Sequence, residues 1–222
     1  MAHQDFERYA LEKPMEVDIS PRWISLFENK IFPNISPDKA NVRILDYGFG
    51  DGRYYDFFCR YFGKDNIYGV EVSNIRLQRA VEKGFLNVYC IDNGKRLPFK
   101  DDFFDFINLH QVLEHIPSEE TVFCLDEIRR ILKPEGIIFV VVPNYPIKRL
   151  YDLRMAFLKK DLKRIKDDPT HVCFYNFRKL KFTLNKYFSK VTLIPTGGEF
   201  FNIFKSNFFS HKIFAIAKKC NF

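Results

Sequence analysis

Along the chain, short apolar runs alternate with longer segments in which apolar and charged residues recur with a helical period. The apolar runs that predict β-strands lie at 41–47, 66–72, 86–92, 103–110 and 136–143. The helical periods lie at 52–62, 73–84 and 118–132, and the last begins with a serine and two acidic residues, as helix N-termini commonly do. The run at 136–143 is apolar on both faces, which is typical of a central parallel strand. The pattern therefore predicts an α/β fold with a doubly wound, mostly parallel sheet and right-handed crossovers.

The turn after the first predicted strand is rich in glycine and reads ILDYGFGDGR at 44–53. Gly48, Gly50 and Gly52 can adopt positive φ and let another molecule approach the backbone closely. A strand, a glycine turn and a helix N-terminus present backbone donors and a positive dipole end, which suits a nucleotide or a carboxylate. The dinucleotide fingerprint has glycine at its first, third and sixth positions, but the sixth position from Gly48 is Arg53. An adenosine ligand other than NAD is therefore predicted, and a plain tight turn is the alternative.

Two acidic residues end successive predicted strands. Glu71 ends the second strand, nineteen residues after Gly52, where a carboxylate can accept both ribose hydroxyls of an adenosine. Asp92 ends the third strand, where it can accept a hydrogen bond from the exocyclic amine of an adenine that lies against Val72 and Leu109. Either acid alone is also compatible with a solvated strand end, so the prediction of an adenosine site rests on their joint placement.

These motifs resemble those of the class I S-adenosylmethionine-dependent methyltransferases, in particular the small-molecule branch that includes the ubiquinone-biosynthesis O-methyltransferases. The resemblance covers about residues 40–145 and is carried by ILDYGFGDGR, YGVEVS, IDNGKRLPFKDDFFDFI, LHQVLEHI and RRILKPEGIIFVVVPN. It implies S-adenosylmethionine as cofactor and a Rossmann-like, seven-stranded, mostly parallel sheet with an antiparallel last strand, closed by the pair 188–195 and 211–219. We expect a single methyltransferase domain over 1–222, with an N-terminal helix within 20–40 and a helical lid insertion after strand five at 145–170.

The resemblance also implies roles for individual residues. The residues expected to bind the cofactor are Asp46, Gly48, Gly50, Glu71, Val72, Asp92, Asn93, Leu109 and His110. In the quinone enzymes of this branch, the position of Gln111 is usually acidic and helps to hold a divalent metal with the counterparts of Glu114 and His115. An amide is a poorer ligand for a hard cation than a carboxylate, so no metal is expected here. His115 is instead expected to orient the loop after strand four.

Methyl transfer requires mainly that the acceptor atom and the methyl group are aligned, because the methyl group of a sulfonium is already activated. A hydroxyl acceptor also benefits from a general base within hydrogen-bond reach. His171 follows the fifth strand and is the candidate base, since the usual pKa of imidazole suits that role; the alternative is that it caps or orients a loop. Tyr145 and Tyr175 are weaker candidates for acceptor contacts. We expect a small or lipid- or glycan-linked acceptor, methylated at oxygen rather than nitrogen.

Positive charge is concentrated in one segment. The net charge is +7, and residues 148–190 hold 13 Lys and Arg against 4 Asp. This segment contains apolar residues that recur with helical spacing. Three roles are open for this apolar stripe: it covers the acceptor pocket, docks on anionic lipid or packs on the core. Packing on the core is the commonest role of such a stripe. RNA methylation is a rival prediction, although no appended RNA-binding module or NPPY tetrapeptide is present, so nucleic acid is not expected as a partner. A non-catalytic cofactor-binding or partner subunit is the other alternative.

Length, apolar runs and cysteine content limit the possible domain size, location and metal-binding class of the protein. The 222 residues, 46% of them hydrophobic, are enough to bury one sizeable core. The sequence shows neither a membrane-spanning run nor the apolar block of a signal peptide at its start, so a cytoplasmic location is expected. The five cysteines are scattered without a CxxC pair, which predicts neither a disulfide framework nor a zinc site. The oligomeric state is left open.

Overall fold

The computed structural model describes residues 3–12, 19–35, 38–92, 94–194 and 210–219. In these residues the strands are Ile44–Tyr47 (β1), Ile67–Glu71 (β2), Asn87–Cys90 (β3), Phe104–His110 (β4), Leu132–Pro143 (β5), Ser189–Ile194 (β6) and Lys212–Lys218 (β7). The α-helices are His3–Glu12 (α1), Pro21–Leu26 (α2), Tyr55–Phe62 (α3), Asn74–Glu82 (α4), Ser118–Ile131 (α5), Ile147–Lys159 (α6) and Phe177–Asn185 (α7). Each strand and helix of the sequence-based prediction is therefore confirmed, with shorter ends in most cases.

The strands form one sheet in the order β3-β2-β1-β4-β5-β7-β6. Neighbouring strands from β3 to β5 are parallel, whereas β7 is antiparallel to both β5 and β6. The predicted fold class, including the closing antiparallel pair, is confirmed. The chain leaves β3 at one edge and re-enters the sheet on the other side of β1, so β1 and β4 flank the point where the strand order reverses. Ligands of doubly wound sheets bind beyond the carboxyl ends of the strands at such a point.

Helices cover both faces of the sheet. On one face, the ring of Phe27 lies with its centroid 5.5 Å from those of Phe57, Phe58 and Phe139, which packs the N-terminal helical segment against α3 and β5. This segment contains α2 and a π-helical turn over Phe27–Ile31. On the opposite face, buried residues of α5 and α7 join the core. The packing places α2, and with it Trp23, beside the end of β4.

The segment after β5 is helical, as the predicted fold class has it. It holds α6 and a short 3₁₀ turn over Leu162–Ile165, and α7 follows before the sheet resumes with β6. No helix within the described ranges is both long enough and apolar enough to cross a bilayer.

Candidate active site

A cavity of about 370 Å³ opens beyond the carboxyl ends of β1, β2 and β4. Its walls come from the glycine turn, the end of β2, the loop after β4, the loop at 168–171 and the inner side of α1. Pockets for small ligands commonly have about this volume or somewhat more, roughly 300–1,000 Å³. The topology therefore places this cavity where a doubly wound sheet binds its ligand.

The backbone conformation of the glycine turn and its close neighbours explain why it contains glycines. Gly48, Gly50 and Gly52 have φ of 69°, 60° and 84°, a region that residues with a Cβ seldom adopt. Gly48 lines the cavity, but a Cβ on Gly52 would lie 2.0 Å from the ring of Phe85. A Cβ on Gly48 would in turn lie 2.8 Å from Cγ2 of Val112, so a protein side chain occupies the space of the missing side chain at both glycines, although Gly48 also lines the cavity.

Glu71 is buried at the mouth of the cavity and holds the glycine turn. Its Oε2 accepts a hydrogen bond from the backbone N–H of Gly50 at 2.9 Å, and its Oε1 accepts from those of Val72 at 2.9 Å and Ser73 at 3.2 Å. Burial raises the pKa of Glu71, against the effects of the Arg76 guanidinium and the three donors. A carboxylate offers about four lone-pair positions, so these donors leave about one for a ribose hydroxyl rather than two.

The structure brings some, but not all, of the predicted cofactor residues to the cavity. Gly48, Glu71, Val72 and His110 line it. The side chain of Leu109 instead is fully buried in the core, and the apolar wall of the cavity includes Ile91 and Val112.

Three other predicted residues lie behind or beside the cavity lining, and a fourth is not described. Asp46 is buried behind the turn, where its Oδ1 accepts from Asn108 Nδ2 at 2.8 Å and burial raises its pKa to about 7. Gly50 contacts Glu71 as above, and Asp92 is exposed, paired with Lys95 Nζ at 2.6 Å. Asn93 lies outside the described residues.

His110 ends β4 with one ring nitrogen satisfied and the other without a partner. Its Nδ1 is hydrogen-bonded to the hydroxyl of Tyr54, and its ring centroid lies 4.6 Å from that of Trp23. Its Nε2 is buried and makes no hydrogen bond to any described residue. Burial lowers the pKa of His110 well below its usual value, so the ring is neutral near pH 7. A neutral, unsatisfied nitrogen in the lining is available to a bound ligand.

Two further histidines face the other end of the cavity. The ring centroids of His115 and His171 are 5.0 Å apart. His115 Nδ1 donates to the carbonyl oxygen of Thr170 at 3.0 Å and so ties the loop after β4 to the 168–171 loop. His171 Nδ1 is 2.7 Å from the hydroxyl of Tyr145. Burial lowers the pKa of both rings, that of His171 to about 4.

Glu114 adds a buried carboxyl group to these histidines. It is 0% exposed, and neither of its carboxyl oxygens makes a hydrogen bond to any described residue. Burial raises its pKa to about 8. Glu114, His115 and His171 offer one ligand atom each within 4.8 Å of one another, a set that can hold a metal ion. Sequence reasoning did not find this cluster, because His171 lies 56 residues beyond His115.

Helix α1 supplies site residues that the sequence analysis missed. Phe6 and Tyr9 line the cavity, and the hydroxyl of Tyr9 donates to Asp168 Oδ2 at 3.0 Å. Glu7 accepts from the hydroxyl of Ser73 at 2.7 Å and from the backbone N–H of Asn74 at 2.6 Å, at the N-terminus of α4. Helix α1 thus bridges the β2 end and the 168–171 loop. The available signal was the spacing of Phe6 and Tyr9, which places both on one side of a helix.

Comparisons with known proteins agree with this geometry. Residues 45–140 match the family described as a methyltransferase domain. An uncharacterized Methanocaldococcus jannaschii protein is 35% identical over 134 residues, which cover 56% of this chain and 55% of that protein. A Schizosaccharomyces pombe uncharacterized methyltransferase is 33% identical over 111 residues, covering 45% and 39%. The ubiquinone/menaquinone biosynthesis C-methyltransferase UbiE of Paraburkholderia xenovorans is 26% identical over 127 residues, covering 52% and 51%. The chain thus spans about half or less of the length of these relatives.

Solved structures show the same fold. A SAM-dependent methyltransferase from Archaeoglobus fulgidus superimposes with a TM-score of 0.63 at 21% identity, over 99% of this chain and 100% of that one. A Pyrococcus horikoshii protein superimposes with a TM-score of 0.65 at 18% identity, over 97% and 100%. The family match runs from β1 to β5 and contains the glycine turn, Glu71 and His115. Residues 45–140 therefore resemble the methyltransferase domain family, and the chain has the fold of a solved SAM-dependent methyltransferase.

Proposed function

We propose that this protein transfers a methyl group from S-adenosylmethionine to an oxygen atom of a small or lipid- or glycan-linked acceptor. The observation that supports this most strongly is that one cavity joins Gly48 and Glu71, on the cofactor side, to His115 and His171 on the other. The bound cofactor supplies an activated methyl group, so the protein has mainly to align the acceptor and exclude water. Phe6 and Tyr9 of α1 cover the cavity and serve that exclusion.

The hydrogen bonds around His171 favour a role as general base. The Tyr145 hydroxyl donates to Asp167 Oδ1 at 3.1 Å, and Lys148 lowers the pKa of Asp167 although burial opposes it. Because the phenolic proton is directed at Asp167, the phenolic oxygen accepts from His171 Nδ1–H. His171 Nε2 then carries no proton and can accept one from a hydroxyl acceptor.

The acceptor atom and the acceptor class are tested together. The name of the Paraburkholderia relative specifies carbon as the methylated atom in that protein, whereas the unprotonated His171 Nε2 favours a hydroxyl here. Incubation with methyl-labelled S-adenosylmethionine and fractionated cell extract should place the label in a lipid, glycan or small-molecule fraction, as a methyl ether or ester. Label in RNA, or on carbon, would contradict the proposal. Cofactor binding without transfer to any fraction would favour a non-catalytic subunit.

Cofactor selectivity gives a direct binding prediction. Calorimetry should show that S-adenosylmethionine and S-adenosylhomocysteine bind and that NAD does not, because Arg53 occupies the sixth position of the dinucleotide fingerprint. The matched comparison is adenosine alone, which should bind more weakly than S-adenosylhomocysteine because it lacks the amino-acid portion. Tighter binding of NAD than of either methionine-derived ligand would contradict the cofactor assignment.

Chelation gives the prediction for metal. We expect EDTA to leave methyl transfer unchanged, because Gln111 replaces a carboxylate and its Oε1 already accepts from Lys212 Nζ at 3.1 Å. Measurement of the transfer rate before and after chelation checks this, with a parallel sample that receives Mg²⁺ or Zn²⁺. Loss of activity on chelation and its recovery on addition of either ion would show instead that Glu114, His115 and His171 hold a required metal.

A further inference from the structure

Helix α6 lies on the protein with several apolar side chains outward. Leu150, Leu153 and Phe157 recur at i, i+3 and i+7 on one side of the helix and are 62%, 45% and 85% exposed. The inward side mixes apolar residues, among them Met155 and the buried Ala156, with the ion pair between Lys148 Nζ and Asp152 Oδ2 at 2.8 Å. Part of the apolar stripe that sequence reasoning most readily assigns to the core therefore faces solvent.

The exposed stripe continues beyond the helix. We call the following set the docking face: Leu150, Leu153, Phe157, Leu158, Leu162 and Ile165, which are 45–85% exposed. Nine of the fifteen large apolar side chains exposed in the described residues lie between 150 and 182, so the exposure is clustered in this part of the chain. Clustered apolar exposure marks a surface that is covered by a partner or a membrane, whereas single exposed residues need no explanation.

The positive charge around the docking face indicates the chemistry of the partner that it binds. Lys159, Lys160 and Lys166 are exposed within or beside it, and residues 148–190 carry a formal charge of +9 against −2 for the rest of the chain. An apolar helix side bordered by lysines suits an anionic bilayer, because the apolar side chains enter the acyl boundary while the ammonium groups reach the phosphates. Docking of a second copy through the same face would bring like charges together.

The docking face is held close to the cavity's acceptor side. Arg149 Nη2 donates to the carbonyl oxygen of Ile165 at 2.6 Å, and Lys148 pairs with Asp167, which is hydrogen-bonded to Tyr145 beside His171. We infer that the docking face binds the surface of an anionic phospholipid bilayer, and that the cavity thereby takes its acceptor from the membrane as a lipid-linked hydroxyl compound. The second half of this inference rests on the proposed function; the first half does not.

Vesicle co-sedimentation tests the membrane half. Vesicles of equal parts phosphatidylcholine and phosphatidylglycerol should bind the protein, vesicles of phosphatidylcholine alone should bind it far less, and added salt should weaken binding. The double variant Phe157→Ser, Leu162→Ser should weaken binding by at least about tenfold, because two exposed apolar side chains no longer enter the bilayer. Changing Lys159, Lys160 and Lys166 to Gln should weaken it by about fivefold for each lysine.

Matched controls separate the docking face from exposure and charge in general. Leu86→Ser with Val122→Ser removes two apolar side chains that are 58% and 53% exposed elsewhere, and should leave vesicle binding unchanged. Changing the exposed Lys30, Lys64 and Lys100 to Gln removes the same charge away from the face, and should weaken binding much less than the docking-face triple variant.

Several outcomes would overturn the inference. These are failure of the wild-type protein to bind anionic vesicles, equal binding by wild type and both docking-face variants, and a wild-type dimer that the Phe157→Ser, Leu162→Ser variant abolishes. Calorimetry of S-adenosylhomocysteine binding runs beside each experiment. If the wild-type protein binds the cofactor but not the vesicles, only the docking inference is contradicted. If it binds the vesicles but not the cofactor, the proposed function is contradicted.

Discussion

Replacement of His171 by asparagine should lower kcat by about 10²-fold, the lower end of the usual contribution of a positioned general base, because burial lowers its pKa to about 4 and makes the ring a weaker base than a free imidazole. The asparagine amide can still donate to the Tyr145 oxygen, as His171 Nδ1–H does, but it has no basic nitrogen to accept the acceptor's proton. Affinity for S-adenosylhomocysteine should stay close to that of the wild type, because His171 lies on the loop at 168–171 and makes no hydrogen bond to the glycine turn or to Glu71. Single-turnover rates with labelled cofactor and calorimetry measure the two quantities.

The pH dependence separates a base from a loop-orienting residue. Burial lowers the pKa of His171 to about 4, so its ring is neutral at neutral pH and becomes protonated as the pH falls toward that value. A protonated ring cannot accept a proton. The contribution of His171 to kcat should therefore be constant around neutral pH and be lost in acid, and this acid limb should disappear in the His171→Asn variant.

His211 provides the matched control. Burial lowers its pKa to about 4 as well, but it stacks on Tyr151 at 4.2 Å between ring centroids and does not line the cavity. His211→Asn should leave kcat and its pH profile nearly unchanged. Equal losses in the two variants, or full activity of folded His171→Asn protein, would remove His171 from the reaction.

Replacement of Glu71 by alanine should weaken the binding of S-adenosylmethionine by roughly ten- to a hundredfold. The variant loses the charge-assisted acceptor for the ribose and also the group that holds Gly50 through its backbone N–H. Loss of the carboxylate leaves three backbone N–H groups without their acceptor, so the variant should also have a lower Tm. Calorimetry and thermal unfolding of the same samples measure both effects.

Two further variants separate the ribose role of Glu71 from its structural role. Glu71→Gln keeps an acceptor oxygen for the backbone donors and should recover stability more than affinity. Asp92→Ala tests the other predicted acid: affinity falls if adenine reaches Asp92, as the sequence predicts, and is unchanged if the described cavity holds the whole cofactor. Wild-type affinity in folded Glu71→Ala protein would exclude Glu71 from the cofactor site.

The sequence predicted the sheet well because strand and helix periodicity are local properties. The alternation around 44–110 predicts a doubly wound parallel sheet with right-handed crossovers, and β1 to β5 form such a sheet. Ends were less accurate, since pairing partners decide them. Strand β1, for example, begins at Ile44, where it pairs with Ile67 and Phe106, although the apolar pattern begins at 41.

Part of the site was predictable for the same reason. Gly48, Glu71 and His110 lie at the ends of strands or directly after them, and the carboxyl ends of parallel strands meet at one edge of the sheet. The prediction for Leu109 depended on which side of β4 its side chain takes. Neighbouring residues of a strand alternate between faces, and of the last two residues of β4 it is His110, not Leu109, that lines the cavity.

What the sequence by itself determined is therefore the order of strands and helices, the glycine turn and the acid that ends β2, because each follows from residues close together in the chain. Only the tertiary structure decided that Tyr9 meets Asp168, 159 residues later, and that Glu114, His115 and His171 form one cluster. It also decided that Leu150, Leu153 and Phe157 of α6 face solvent. Helical periodicity shows that a helix has an apolar side, but the packing of distant segments determines what, if anything, covers it.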